Sequence, residues 1–375
     1  MSKILEYLTG NHVNMLRDLE EFVTRETPTI DKARTDDFAG FLADYARDLG
    51  GEVEILPSKE RGNHVRVSWG ERDGEKPILL LGHFDTVWPA GTLERLPFRV
   101  ENGIGRGPGI FDMKGGLVQG FWAVKALREV AGLDRNIVFL CNSDEETHST
   151  TSRPLVEKEA REASVALVLE SSTDGKLTTA RKGVGWFDVW VTGREAHAGV
   201  NPFDGISAID ELAHVILGLH GYTDAGTGTT VNVGIVHGGT AGNVVAGSAY
   251  ANVNLRVVDE LEAERMEAEI LGLKPHNEGA IVKVTGGMKR PPMERGESTA
   301  RLVEHARGLA REMGFELEEH MSGGGSDGNF CAALGIPTLD GLGAVGKGAH
   351  AESEHILVGR MPERAALVAR LIQTL

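Results

Sequence analysis

Hydrophobic residues follow two different patterns along the chain, and the change of pattern predicts two domains. Up to about residue 183, short and wholly apolar runs alternate with segments of helical period. The runs Ile78–Leu81, Ile137–Cys141 and Ala166–Leu169 are typical of strands buried on both faces of a sheet. We therefore predict an α/β domain whose doubly wound, mixed sheet is covered by helices on both faces.

The order of elements changes after Lys182. The segment VGWFDVWVT at 184–192 alternates apolar and polar positions, as a strand with one exposed face does. Further elements are predicted as helices near 203–220 and 259–271, and as strands near 229–236, 248–258 and 280–285. This order indicates a four-stranded sheet with two helices on one face. We predict one domain made of residues 1–183 and 291–375, with an inserted α+β lid domain at 184–290.

Composition and charge narrow the possible functions. The chain has 375 residues, 41% of them hydrophobic, which is enough for a large core without disulfides. It has no apolar run of membrane-spanning length, and its first residues lack the apolar region of a secretory signal, so we expect a cytoplasmic protein that binds no membrane. A net charge of −16 argues against a nucleic-acid partner. This acidity fits simple solubility and also fits carboxylates neutralised by a metal ion.

Polar residues stand where the predicted buried strands end. His83 and Asp85 follow the first apolar run, Glu145 and Glu146 follow the second, and Glu170 follows the third. In open α/β sheets, ligands bind outside the carboxyl ends of the strands. These residues are therefore candidates for one common site.

Two further candidates have structural alternatives. Asp112 stands in GPGIFDMKGG, just before a predicted helix, where it could serve only as an N-cap. The surrounding glycines indicate instead that backbone passes close to another group, although the string does not fit a nucleotide-binding G-x-G-x-x-G. His350, in GKGAHAESEH, is the last candidate, and His355 nearby is taken as incidental.

The charges at these strand ends point to metal binding. Adjacent glutamates such as Glu145 and Glu146 are usually solvated surface residues. If they converge in a cleft, two carboxylates about 4 Å apart repel by about 4 kcal/mol at an effective dielectric of 20. Several converging carboxylates then require a cation, and histidine with carboxylate is a ligand set that suits divalent metals.

Taken together in order, the motifs resemble a known family. They are GHFDT, GPGIFDMKGG, NSDEE, VLE, REAHAG, GGTAGNVV, LRVVD, SGGGSD and the late His350, and they extend from residue 81 to 350. The set resembles the co-catalytic zinc metallopeptidase family of glutamate carboxypeptidase (carboxypeptidase G), aminoacylase, dipeptidases and succinyl-diaminopimelate desuccinylase. The segments LTTARKG, KRPP and SGGGSDG are most similar to the glutamate carboxypeptidase branch.

The resemblance implies a pair of divalent metal ions, with zinc expected and cobalt or manganese as alternatives. His83 and Glu170 would hold one ion, and Glu146 and His350 the other. Asp112 would bridge the two ions, and its bond to Met113 is a candidate for a cis peptide.

The resemblance also implies a mechanism. A water between the ions would be the nucleophile, because metal coordination lowers the pKa of water to about 7. Glu145 would act as general base, and Asp85 would orient His83. The reaction implied is hydrolysis of an amide bond next to a carboxylate in a small peptide or N-acyl amino acid.

The substrate contacts implied by the resemblance fall in and near the predicted lid. His197 would donate to the oxyanion from the lid of a partner subunit, so we expect a homodimer formed through residues 184–290. Asn243 and Arg256 would bind the substrate carboxylate. Backbone N–H groups of the glycine loop, at Gly324, Gly325 and Ser326, would also bind this end of the substrate. Lys182 and Arg290 are plausible additional anchors for the substrate.

Several alternatives stay open at this point. N-acyl-amino-acid deacylation or dipeptide cleavage would use the same residues as carboxypeptidase activity. A serine hydrolase is a rival, because GGSDG contains Ser326 in a G-x-S-x-G pattern and is followed by Asp340 and His350. However, the segment before Ser326 is not an apolar strand. A third possibility is a non-catalytic binding protein with the same fold.

Overall fold

The fold is described from a computed structural model, in which residues 3–70 and 72–375 are described. Residues 1, 2 and 71 belong to the predicted first domain and lie outside the described residues. The chain forms two compact units. Unit 1 comprises the residues up to Ala180, Arg295–Met321 and Ser326–Leu375, and unit 2 comprises Arg181–Glu294 and Ser322–Gly325.

The helices of unit 1 are α1 (Lys3–Gly10), α2 (His12–Thr24), α3 (Lys32–Asp48), α4 (Thr92–Arg95), α5 (Gly115–Ala126), α6 (Arg153–Glu162), α9 (Glu297–Met313), α10 (Gly328–Ala333) and α11 (Met361–Thr374). Its strands are β1 (Glu52–Leu56), β2 (His64–Trp69), β3 (Ile78–His83), β4 (Arg99–Glu101), β5 (Ile104–Arg106), β6 (Ile137–Asn142), β7 (Val165–Val168), β8 (Ser172–Thr173), β15 (Thr338–Leu339), β16 (Val345–Lys347) and β17 (His355–Leu357). β9 (Leu177–Arg181) and β14 (Glu319–Ser322) form a separate two-stranded sheet.

The main sheet of unit 1 is mixed, and its strand order is β1-β2-β6-β3-β7-β15. β3 is parallel to both β6 and β7, whereas β1 and β2 run antiparallel at one edge. Every residue of β3, β6 and β7 is buried, as their continuous apolar sequences predict. The predicted mixed α/β fold is confirmed.

A second sheet in unit 1 has the order β4-β5-β17-β16-β8. β17 pairs antiparallel with both β5 and β16, which brings the segment around residue 355 beside the segment around residue 105. The loops that follow β5 and precede β17 contain Asp112 and His350. Two distant stretches of sequence with candidate metal ligands are therefore joined by this sheet.

The main core of unit 1 contains a buried glutamine whose amide is unsatisfied in the described part of the chain. Gln119 on α5 is fully buried, and within the described chain neither its amide nitrogen nor its amide oxygen has a hydrogen-bond partner. A buried polar group without a partner costs about 1–3 kcal/mol. Methionine has nearly the same length and volume as glutamine but has no amide. We therefore expect Gln119→Met to raise the free energy of unfolding by about 1–2 kcal/mol.

Chemical denaturation followed by circular dichroism measures this change. Gln373→Met is the matched control, because Gln373 is exposed and the same substitution there removes no buried polar group. A variant at position 119 less stable than the parent chain would show that this amide is satisfied in solution.

Unit 2 contains β10 (Gly183–Thr192), α7 (Ala208–His220), β11 (Thr230–Gly238), β12 (Ser248–Val257), α8 (Glu260–Leu271) and β13 (Ile281–Arg290). Its sheet is antiparallel and has the order β11-β12-β10-β13. Residues of α7 and α8 share one core with the inward positions of the strands, so both helices lie on the same face. Ser207 is the N-cap of α7, and its side chain accepts the backbone N–H of Asp210. Asp259 is the N-cap of α8, and its side chain accepts the backbone N–H of Glu262.

The two cysteines, Cys141 and Cys331, are both free and buried. Among the described helices, none combines the length and the apolar character that a membrane crossing requires.

Candidate metal centre

Three of the predicted ligands gather at the end of β3. His83 is the last residue of that strand and is almost fully buried. Its Nε2 atom lies 3.3 Å from Oδ1 of Asp112 and 3.5 Å from Oε1 of Glu170. The carboxyl ends of the parallel strands β3 and β7 thus bring together residues 87 positions apart in sequence, since Glu170 follows β7.

A second group contains the other two predicted ligands. Nε2 of His350 lies 3.2 Å from Oδ2 of Asp112 and 3.1 Å from Oε2 of Glu146. The two oxygens of the Asp112 carboxylate therefore face different histidines, each of which has its own additional carboxylate. The peptide bond between Asp112 and Met113 is cis, in agreement with the expectation from sequence.

The electrostatics of this cluster are those of a cation site. Burial alone would lower the pKa of His83, but the carboxylates of Asp112, Asp85 and Glu170 outweigh it and raise the pKa well above the ordinary value. Hydrogen bonds to Asp112 and Glu146 raise the pKa of His350 to about 11. Burial, assisted by the charge of Asp112, raises the pKa of Glu146 to about 7. The cluster therefore holds protons where a metal ion would supply positive charge.

The donor geometry fits two metal ions. In each group, one donor atom per residue can be chosen so that all three lie within 4.8 Å of one another. Two atoms bonded to one tetrahedral zinc ion at about 2.0–2.1 Å lie about 3.3 Å apart, and the observed separations of 3.1–3.5 Å match that value. Oε1 of Glu146 is buried and has no hydrogen-bond partner among the described residues, as expected of an atom reserved for a ligand.

Asp85 has a larger role than its sequence motif suggests. Its Oδ1 atom lies 3.3 Å from Nδ1 of His83, which fits the predicted orienting contact. The same carboxylate also accepts the backbone N–H groups of Glu145 and Glu146, each at 3.2 Å. Asp85 thus fixes both the histidine and the short 3₁₀ helix Glu145–Thr147 that contains the predicted base. No sequence pattern indicated this second contact.

The predicted substrate residues in unit 2 form two groups. In the first group, Nη1 of Arg256 donates to the carbonyl oxygen of Gly323 at 3.4 Å, and Gly325 lies against the buried side chain of Arg290. Burial, with the nearby charge of Arg290, lowers the pKa of Arg256. Lys182 lies at the start of the same region, and its Nζ atom donates to the carbonyl oxygen of Gly228.

The second group contains His197 and Asn243. The N–H group of Ala198 donates to the carbonyl oxygen of Asn243 at 2.9 Å, and His197 forms a bridge with Val244. Nδ1 of His197 accepts two backbone N–H groups, from Gly199 at 3.1 Å and from Val200 at 3.0 Å. Because Nδ1 is an acceptor, the neutral ring has its proton on Nε2, and the exposed ring is a hydrogen-bond donor.

The two groups stand at opposite ends of one sheet. Arg256 pairs with Val184 at one end of the β10–β12 ladder, and Ser248 pairs with Thr192 at the other. The pairing continues past Thr192 to His197 and Val244. Eight residues of extended strand span about 26 Å. Within one chain, His197 and Asn243 therefore cannot contact the same small substrate as Arg256, although the sequence-based prediction gave Asn243 and Arg256 the same carboxylate.

The serine-hydrolase alternative is contradicted by the surroundings of Ser326. This serine is fully buried, its hydroxyl donates to Asp340 at 2.6 Å, and His350 lies beside Asp112 among the predicted metal ligands instead. The backbone N–H of Ser326 donates to Oδ1 of Asn329, and that of Gly324 donates to the hydroxyl of Ser322. These two N–H groups are therefore engaged within the chain, which weakens their predicted role as substrate donors.

Comparison with known proteins agrees with this architecture. Carboxypeptidase G2 of Pseudomonas sp. (strain RS-16) is 32% identical to this chain over an alignment of 382 positions, gaps included. The alignment covers 99% of this chain and 92% of that protein. Succinyl-diaminopimelate desuccinylase of Delftia acidovorans is 27% identical over 365 residues, covering 89% and 92%. The crystal structure of aminopeptidase PepT from Bacillus cereus aligns with a TM-score of 0.78 and 25% identity, covering 97% of this chain and 98% of that one.

The mixed α/β fold and the His/Asp/Glu cluster define a hydrolase of the metallopeptidase class. Residues 79–374 match the model of Peptidase family M20/M25/M40. The chain belongs to this family, and the family resemblance seen in the sequence is confirmed.

Proposed function

We propose that the protein is a dinuclear metal-dependent hydrolase that cleaves an amide bond next to a carboxylate, as a glutamate carboxypeptidase-like exopeptidase. The observation that carries this proposal is the Asp112 carboxylate, whose two oxygens face two histidines. His83 and Glu170 would hold one ion, and Glu146 and His350 the other, with zinc as the expected metal. When bound, the ions supply Lewis acidity toward the scissile carbonyl and toward a water molecule.

The residues of the chain supply the proton transfers and the orientation. Glu145 would take a proton from the attacking water and return it to the leaving amine. Asp85 holds the backbone of Glu145 in place and so sets where this base stands. His197, with its proton on Nε2, would donate to the oxyanion and thereby stabilise the transition state.

The carboxypeptidase assignment is supported by the similarity to carboxypeptidase G2 and by the cations near the glycine loop. Arg256 would bind the substrate carboxylate through two parallel N–H donors, with Lys182 and Arg290 contributing positive charge. N-acyl-amino-acid deacylation is the second candidate, favoured by the similarity to the desuccinylase. Both reactions require a free carboxylate beside the scissile amide.

A matched pair of substrates tests this requirement. An N-acyl glutamate should be hydrolysed with a kcat/KM about 100-fold higher than its α-amide, because a charge-assisted, bidentate contact is lost in the amide. Arg256→Leu should lower kcat/KM for the acid to near the level of the amide, and should change the rate with the amide little.

Arg265→Leu is the control variant. Arg265 is exposed, pairs with Glu262 on α8, and lies outside the proposed carboxylate-binding subsite around Arg256. Equal rates of the parent enzyme with acid and amide would rule out carboxylate recognition, whereas hydrolysis of neither substrate after metal loading would rule out the exopeptidase assignment.

We also propose that the protein acts as a homodimer formed through residues 184–290. The reason is that His197 and Arg256 lie at opposite ends of the β10–β12 ladder. A site that contains both residues would therefore take His197 and Asn243 from a second copy of the chain. The surface available for such pairing includes the edge strand β11, with exposed Ile235 and Val236, and Leu217 on α7, which is 72% exposed.

Subunit mixing tests this proposal. His197→Ala and Glu145→Ala should each be inactive as homodimers, because each lacks one essential group at both sites. A re-equilibrated equal mixture should recover about a quarter of the parent activity, since half of the dimers are hybrids and each hybrid has one intact site.

The control, measured without excess metal, is a mixture of Glu145→Ala with Glu146→Ala. It should stay inactive, because Glu145 and Glu146 both act in the site of their own subunit, so neither site of a hybrid is intact. A mixture of the His197 and Glu145 variants that stays inactive after confirmed exchange would contradict the shared site.

A further inference from the structure

The carboxylate of Glu354 is buried and accepts four N–H groups. Its Oε1 atom accepts the backbone N–H groups of Phe111 at 2.9 Å and Asp112 at 3.1 Å. Its Oε2 atom accepts the backbone N–H of Gly109 at 3.1 Å and the indole N–H of Trp88 at 2.8 Å. Glu354 is only 3% exposed. The whole loop that leads into Asp112 is therefore gathered around one side chain.

Glu354 also belongs to the segment that contains His350. The N–H of Ala351 donates to the carbonyl oxygen of Gly348 at 3.0 Å, and that of Glu354 donates to Ala351 at 2.8 Å. Two consecutive hydrogen-bonded turns therefore connect His350 to Glu354. The carboxylate of Glu354 thus connects two loops that are more than 200 residues apart in sequence, and each of these loops contains a proposed metal ligand.

We propose that Glu354 is a positioning residue that sets the separation between the Asp112 carboxylate and the His350 ring. Through this separation it sets the affinity for the metal ion that Asp112 and His350 share with Glu146. The inference rests on the proposed function, because it concerns the same metal centre, but it assigns a role to a residue outside the ligand set.

The chemistry of the contact requires a carboxylate of this length. Four donors need two acceptor oxygens, and an amide offers one oxygen and one NH₂ group that would face other donors. Glutamine at this position would therefore leave buried N–H groups without acceptors. Aspartate keeps both oxygens and the charge but is one methylene shorter, so it cannot reach all four donors at once.

Metal titration of the metal-free, full-length protein tests the proposal. Zn²⁺ and Co²⁺ are titrated into the parent chain, Glu354→Gln, Glu354→Asp and Glu352→Gln, and each dissociation constant is measured by competition with a chromogenic chelator. The control residue Glu352 lies in the same turn but is exposed and paired with Arg95. Amide exchange of the segment 109–112 in the metal-free proteins gives a readout independent of activity.

We expect one of the two ions to bind about 10- to 100-fold more weakly to Glu354→Gln, with faster amide exchange at 109–112. Glu354→Asp should shift in the same direction by less, and Glu352→Gln should match the parent chain. If Glu354→Gln does not fold, Glu354→Asp decides the question.

Parent-like affinity for both ions in the folded Glu354 variants would overturn the inference, even if their thermal stability fell, because that outcome is expected of a merely structural residue. A parent chain that binds no ion at all would instead overturn the proposed function itself.

Discussion

Replacing Glu145 with alanine will lower kcat by about 10²- to 10⁴-fold while both metal ions stay bound. The reason is that Glu145 belongs to neither of the two ligand groups, which contain His83, Asp112 and Glu170 or Asp112, Glu146 and His350. Its proposed task is proton transfer, so its loss should change the rate without changing the ligand set. Steady-state kinetics together with metal analysis of the purified protein measures both quantities.

The neighbouring residue provides the matched control for this experiment. Glu146→Ala removes the same side chain one position later, but Oε2 of Glu146 lies 3.1 Å from Nε2 of His350 within a ligand group. This variant should lose one ion, and excess metal should restore part of its activity, whereas added metal should not restore Glu145→Ala. Near-parental activity of Glu145→Ala would remove this residue from the role of base.

Asp112→Ala will abolish both metal binding and activity. Asp112 is the one residue present in both ligand groups, so its removal takes a ligand from each proposed ion at once. A ligand at 1,000 times its dissociation constant stabilises a folded protein by about 4 kcal/mol. The parent chain should therefore gain thermal stability on addition of zinc, and Asp112→Ala should gain little or none.

Thermal denaturation with and without zinc, combined with metal stoichiometry, measures this effect. Asp134→Ala is the control, because its side chain is 81% exposed and lies outside both ligand groups. Two ions retained by Asp112→Ala at the parent affinity would exclude Asp112 as the bridging ligand and with it the dinuclear arrangement.

The sequence predicted much of the scaffold and most of the cluster. β3 and β6 could be predicted because continuous apolar runs have few alternatives to a strand buried on both faces. The cluster followed from the rule that ligands lie at the carboxyl ends of parallel strands, which applies to His83 and Glu170 directly. The family resemblance placed Asp112 and His350, which lie in loops where no periodic pattern specifies position.

Other contacts could not be predicted because they join parts of the chain that no local pattern connects. Asp85 was expected to orient His83, and the structure shows that it also accepts the N–H groups of Glu145 and Glu146. Glu354 showed no signal beyond being an acidic residue four positions after His350. Ser326 fitted a nucleophile pattern, and its burial against Asp340 together with the position of His350 beside Asp112 argues against that role.

The sequence by itself determined which residue types were available and which elements would form, because hydrophobic period and turn chemistry act over a few residues. Only the tertiary structure decided how the chemistry is divided in space. It brought both oxygens of Asp112 between two histidines, and it placed His197 and Arg256 at opposite ends of one sheet. The physical reason is that distances between remote residues depend on strand order and on pairing register, which many sequence positions fix jointly.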